Sequence, residues 1–278
     1  MNINPNFSTF NALINLITVR DICEPFIDSY SSDQKVEEIW ESWTESCLFK
    51  QVDPMEQIAV IKKDSKVVGW VGFDMLHYTD IMDCIDQING DSLLSSNTPI
   101  LKALQTMTFQ KESIFLVLNE STFVGFLHLD HFNKLPFRIC LFSLLIDIER
   151  LILEILKSSP TKYLSNLTEN RLNKAKEVYR NKKFNYDENG LEYDAQLVEC
   201  TFIVDKFTML KKSKDVIAVC PNLSNDFISK VDRIRNATAH PSANDEKLPL
   251  KNMKDLFPFI LWAEELHKQL SEYIFANH

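Results

Sequence analysis

Two stretches, "KVVGWVGFDML" (Lys66 to Leu76) and "TFVGFLHLDHF" (Thr122 to Phe132), constrain this chain most. Both read Val-Gly-aromatic, with an aspartate five residues after the glycine: Asp74 after Gly69, Asp130 after Gly125. Each follows a β-rich run, "EQIAVIKKDS" or "ESIFLVLNES", with polar residues between, so each copy predicts a β-hairpin. A helix-like stretch precedes each hairpin. In the first copy it is "DQKVEEIWESWTES", and in the second "TPILKALQTMT", where Thr98-Pro99 is a helix start with proline in the first turn. Helix, strand, turn, strand, used twice, predicts a duplicated α/β module in the first half of the chain.

The second half has a different period. "RICLFSLLIDIERLILEILKSSP" is a long apolar run in which Asp147, Glu149, Arg150 and Glu154 leave a broad apolar arc at helical spacing, and Pro160 stops it. Further helices are predicted over "TENRLNKAKEVYRNKK", over "LEYDAQLVECTFIVDKFTML" as one element, over "SNDFISKVDRIRNATAH" with Ser224 as cap, and over "NMKDLFPFILWAEELHKQLSEYIF". The expected fold class is therefore α+β with two domains, an α/β pair over residues 1–137 followed by an all-α bundle over 138–278.

Composition narrows the chemistry. The chain has only five glycines in 278 residues and no GxGxxG or GxxxxGK[ST] segment, which excludes the common phosphate-cradling loops. Its six cysteines form no CxxC pair, and no HExxH or clustered carboxylate and histidine set occurs, so no metal site is expected. "MNINPNFSTF" lacks a basic stretch followed by an apolar run, and no segment reaches 18 uninterrupted apolar residues. The expectation is a soluble, reduced, cytoplasmic protein with no membrane partner. The formal net charge of −9 is unevenly placed, with 10 Lys+Arg against 19 Asp+Glu in residues 1–138 and 20 against 20 in 139–278. Only the second half could meet a polyanion. Its most basic stretch is "RLNKAKEVYRNKK", and Arg171, Lys174, Arg180, Lys182 and Lys183 are the candidate RNA-binding residues; a solvated helix face is the plainer reading of such a run.

The duplicated helix and hairpin, with "TVRDICEPF" at its start and "VGFLHLDHFNKLPFR" at its end, resembles a tandem pair of cystathionine-β-synthase (CBS) domains over residues 16–138. The resemblance implies an adenine nucleotide in the cleft between repeats, held by a Thr or Ser and an Asp after the last strand of each. This chain has Gly72 and His128 at the hydroxyl positions and Met75 and His131 at the acid positions, with Asp74 and Asp130 one residue earlier as the candidate nucleotide-binding residues. A structural or dimerising pair and a sensor both remain open.

The helical half, with "RNATAH" and Pro241 near its end, resembles the HEPN family (higher eukaryotes and prokaryotes nucleotide-binding domains). That resemblance implies a homodimer and a metal-independent RNA endonuclease that needs no cofactor for catalysis and leaves a 2′,3′-cyclic phosphate, with a toxin–antitoxin or defence setting. The residue types suit such chemistry: His240 as base or acid at the ribose 2′-hydroxyl, Arg235 as a planar donor for the phosphorane, and Asn236 to orient either. Arg235 and His240 stand about 140° apart on an ideal helix, which a two-fold dimer would reconcile. The alternative is a non-catalytic nucleotide-sensing or protein-interaction module.

Overall fold

The computed structural model describes residues 9–76, 80–110, 114–188, 196–221, 223–239, 248 and 255–277. The chain divides into two compact units. One is continuous, Asn15–Lys134. The other joins the helix α1 (Thr9–Ile14) to the chain from Leu135 onward. The α/β module therefore begins after α1, and α1 packs on the helical unit.

The Asn15–Lys134 unit is built from two copies of one motif. In the first, β1 (Ser29–Ser31) leads into α2 (Val36–Lys50), then β2 (Ile58–Lys63) and β3 (Lys66–Gly72). After α3 (Ile81–Cys84) and the two-residue β4 (Asp86–Gln87), the second repeats the order with β5 (Leu93–Ser95), α4 (Ile100–Gln110), β6 (Ile114–Asn119) and β7 (Thr122–His128). The copies match in detail. β1 runs parallel to β2 as β5 does to β6, both hairpins are antiparallel, and both carry a bulge, at Ile61/Lys62 and at Val117/Leu118. In the first hairpin turn Asp64 and Ser65 take positive φ, and in the second Glu120 does, the left-handed region that tight hairpin turns use.

The copies also exchange edges. β4, the lead-in to the second copy, pairs with Gly69 and Trp70 of the first. Glu24, in the lead-in to the first copy, bridges to Phe126 of the second. The shared glycine explains how both approaches fit. A Cβ on Gly69 would lie 2.6 Å from the carbonyl oxygen of Asp86, and one on Gly125 only 2.1 Å from that of Glu24. A side chain at either site would push the neighbouring strand away.

Packing follows the pattern of each element. Val36, Ile39, Trp43 and Cys47 lie at helical spacing on one stripe of α2 and bury against Ala59, Ile61 and Val71 of the sheet. A second cluster joins the copies, with Ile58 from the first hairpin against Leu116 and Phe126 from the second, flanked by Phe26 and Trp70.

In the helical unit every described element is a helix or helical turn. The central α5 (Leu135–Ser158) buries Leu141, Leu144, Leu145, Ile148, Leu151, Ile152 and Ile155, which is the broad apolar arc its sequence predicts. Around it lie α1, α8 (Ile203–Lys211), α10 (Asn225–Ala239) and α11 (Leu256–Asn277), with α6 (Pro160–Leu164), α7 (Glu169–Glu188) and α9 (Lys214–Val219) completing the unit. Polar side chains that α5 buries find partners on other elements. Asp147 accepts the backbone N–H of Thr9 at 2.7 Å and so caps α1 from outside its own chain segment. Arg138 donates to the carbonyl of Ala237 on α10. The single helix expected over "LEYDAQLVECTFIVDKFTML" is broken: among its described residues a 3₁₀ turn (Leu197–Cys200) precedes α8, and Asp205 accepts from the N–H of Phe202 at 3.3 Å to start a new helix. A polar cap inside an apolar run is a weak signal beside the run itself.

Candidate functional site

Two turns in the Asn15–Lys134 unit carry its candidate residues. The last strand of each copy runs into a 3₁₀ turn, Phe73–Met75 after β3 and Leu129–Asn133 after β7. In each, the third residue folds back to cap its own turn. The sulfur of Met75 accepts the N–H of Gly72 at 3.3 Å, and Nδ1 of His131 accepts that of His128 at 3.1 Å. The residues at the two acid positions thus close their turns, which leaves the carboxylates to Asp74, exposed, and Asp130, partly exposed.

The second turn has the richer electrostatics. Burial beside Phe126, with help from Lys134 and then His128, pushes the His131 pKa down to about 3, so its imidazole is neutral and free to accept. His128 Nδ1 accepts the N–H of Asp130 at 3.2 Å, and the same Nδ1 lies 3.6 Å from a carboxylate oxygen of Asp130. Lys134 ion-pairs with Glu24 and donates to the carbonyl of Cys23 at 3.4 Å, tying this turn to the exchanged lead-in. Each turn therefore offers a carboxylate that can accept ligand hydroxyls, at matching positions of the two copies.

In the helical unit Arg235 sits on α10, half-exposed. Its Nη2 lies 3.8 Å from Glu149 of α5, and its Nη1 donates to the side chain of Asn236 at 3.4 Å. Glu149 is shared. Lys206 of α8, 3% exposed, donates to it at 2.9 Å and to the carbonyl of Thr201 at 2.6 Å. One carboxylate thus serves two cations. Among the described residues the buried Nε of Arg235 has no hydrogen-bond partner. Asn236 is exposed on the same helix, while His240 and Pro241 lie outside the described residues. From sequence Glu149 is only a charge within an apolar helix, which signals a buried partner, and nothing in the sequence marks Lys206 as that partner.

The basic helix is α7. Arg171 is held by Asp205, at 2.5 Å, and its guanidinium lies 5.6 Å from the Phe202 ring. Lys174, Arg180, Lys182 and Lys183 are exposed, and nothing from Arg180 to Glu188 is buried. Phe184 and Tyr186 are exposed among them, at 60% and 43%. Among the described residues no group of three or more His, Cys, Asp or Glu could hold a metal ion, and no helix is long and apolar enough to cross a membrane.

No protein-family model matches the chain, and no curated protein matches it. Among solved structures, it is similar to the CBS domain of a bacterial CNNM/CorC family Mg²⁺ transporter in complex with ATP, at 13% identity over 44% of this chain and 88% of that one, TM-score 0.33. A CBS domain pair in complex with 5′-methylthioadenosine and S-adenosyl-L-methionine matches at 14% over 43% and 94%, TM-score 0.33. A CBS domain-containing protein from Thermotoga maritima matches at 19% over 40% and 88%, TM-score 0.29.

Proposed function

We propose that this chain is a nucleotide-sensing module in which the Asn15–Lys134 unit, a CBS-like pair, takes an adenine nucleotide at the turns that carry Asp74 and Asp130. One observation carries the reading: two equivalent strand-end turns present equivalent carboxylates, in copies that exchange edges. Ribose hydroxyls would donate to those carboxylates. Met75 and His131 would serve as the caps that hold each turn in shape. The test is a melting series on the full chain with AMP, ADP, ATP, S-adenosylmethionine and methylthioadenosine at millimolar concentration. A ligand at 100 times its Kd adds about 2.7 kcal/mol. A rise in Tm that Asp74→Asn/Asp130→Asn removes is expected; no shift across the panel would refute the reading.

A second reading, a homodimeric RNA endonuclease, is favoured by the sharing of Glu149 between Arg235 and Lys206, which leaves positive charge at Arg235. Under it His240 moves the 2′-hydroxyl proton, Arg235 stabilises the phosphorane, Asn236 orients the pair, and Lys174, Arg180, Lys182 and Lys183 hold the RNA backbone. Arg171, already paired with Asp205, would contribute through the helix it anchors. RNA cleavage that persists in chelator and is lost in His240→Ala, with the dimer mass retained, is the expected result. Cleavage by His240→Ala protein would exclude this chemistry.

A further inference from the structure

A groove of about 560 Å³ lies between α8 and α10, lined by none of the residues given a role above. Small-ligand sites commonly fall between about 300 and 1,000 Å³. Its walls are two helix faces. Thr208 and Lys211 line it from α8, with Lys212 just past the end of that helix, and Asn225, Ser229 and Asp232 line it from α10 at i, i+4 and i+7. Facing helices ordinarily meet through apolar side chains. Here polar side chains rim the groove from both helices, over an apolar floor that Val204 and Ile228 supply.

The charges are sorted along the groove. At one end Lys211 donates to the side-chain oxygen of Asn225 at 2.7 Å and Lys212 to the carbonyl of Asn166 at 2.5 Å. Both partners are neutral, and among the described residues neither lysine has a carboxylate in ion-pair range. The Lys211 ammonium therefore stands beside the start of α10, whose dipole adds to it, and Lys212 brings a second positive charge to the same groove. The acid of that first turn, Asp226, is paired with Lys230 at 3.0 Å. At the other end stands Asp232, seven residues along α10 from Asn225 and so about 10 Å away. Thr208 donates its hydroxyl to the carbonyl of Val204 at 2.7 Å, which leaves its lone pairs facing the groove as acceptors. One end thus suits a compact dianion, and the other accepts hydroxyl protons.

We propose that this groove binds a phosphomonoester with a hydroxylated body, the phosphate against Lys211, Lys212 and the start of α10, the hydroxyls toward Ser229, Thr208 and Asp232. Sugar phosphates and nucleoside 5′-monophosphates share this chemistry, and the experiment separates them. Isothermal titration calorimetry on the full chain uses ribose 5-phosphate, AMP, inorganic phosphate and ribose as probes. Ribose 5-phosphate or AMP binds more tightly than inorganic phosphate, and ribose alone shows no binding. Lys211→Met/Lys212→Met weakens the phosphomonoester about tenfold or more, as loss of charge-assisted bonds predicts. Asp232→Asn weakens the phosphomonoester and leaves inorganic phosphate unchanged. Ser229→Trp, which fills the groove from an exposed position, abolishes ribose 5-phosphate binding without lowering Tm. AMP binding that Lys211→Met/Lys212→Met weakens, with ribose 5-phosphate silent, assigns the site to nucleotides. Failure of both phosphomonoesters at millimolar concentration overturns the proposal. So does binding that is indifferent to the lysine pair, including AMP binding lost only in Asp74→Asn/Asp130→Asn, which would belong to the strand-end turns.

Discussion

Gly125→Ala tests whether edge exchange holds the duplicated unit together. A Cβ there would stand 2.1 Å from the carbonyl oxygen of Glu24, 2.9 Å from its carbon and 3.3 Å from Cα of Pro25, all backbone atoms. The lead-in must move by about 1 Å to restore normal contact, and such overpacking costs about 1–3 kcal/mol. That movement also strains the two bonds of the bridge, Glu24 N–H to Phe126 at 2.9 Å and Phe126 N–H to Glu24 at 2.8 Å, each worth about 1 kcal/mol. Restricting the unfolded chain returns about 0.4–1 kcal/mol. The net is a loss of about 2–4 kcal/mol, which for a unit of this size lowers Tm by roughly 8–16 °C. Gly69→Ala is milder, with its nearest contact at 2.6 Å, and Gly90→Ala, with nothing within 4 Å, is the neutral control. Thermal melts followed by tryptophan fluorescence report mainly on this unit, which holds Trp40, Trp43 and Trp70. A Gly125→Ala protein that melts with Gly90→Ala would refute the argument.

Two further outcomes follow from buried ionisable groups. His131 titrates at about 3 in the folded chain against an ordinary 6.5, so the unfolded chain takes up the proton first; stability falls as pH drops from 6.5 toward 3 and is unaffected by this group above 6.5. The slope approaches about 1.4 kcal/mol per pH unit, and His131→Gln, which keeps an acceptor for the His128 N–H, should flatten it in urea melts at about pH 7 and pH 5; an unchanged slope would assign the acid loss elsewhere. Lys206→Met removes one partner of a buried pair and leaves Glu149 with Arg235 at 3.8 Å, a loss of about 3–5 kcal/mol in the helical unit. Lys206→Met/Glu149→Leu should recover most of it by circular dichroism melts, and a double variant no better than the single would show that the pair is not what Lys206 contributes.

What the sequence determined by itself is local. The repeated Val-Gly-aromatic, the polar turns and the alternation of small and apolar residues predict both hairpins, and helical spacing predicts α2, α4, α5, α7, α10 and α11, because each signal is read between residues a few positions apart. The aspartates of the two repeats were also visible, at the same offset from the repeat glycine. The tertiary structure alone decided who meets whom. It showed that Gly69 and Gly125 make room for the lead-in of the opposite copy, and that Met75 and His131 cap their own turns. It also showed that α1 docks on Asp147 and that Glu149 serves both Lys206 and Arg235. A buried charge or an unfilled backbone edge announces in sequence that a partner exists. Which residue supplies it depends on how segments tens to more than a hundred positions apart close around a common core, and no local period records that choice.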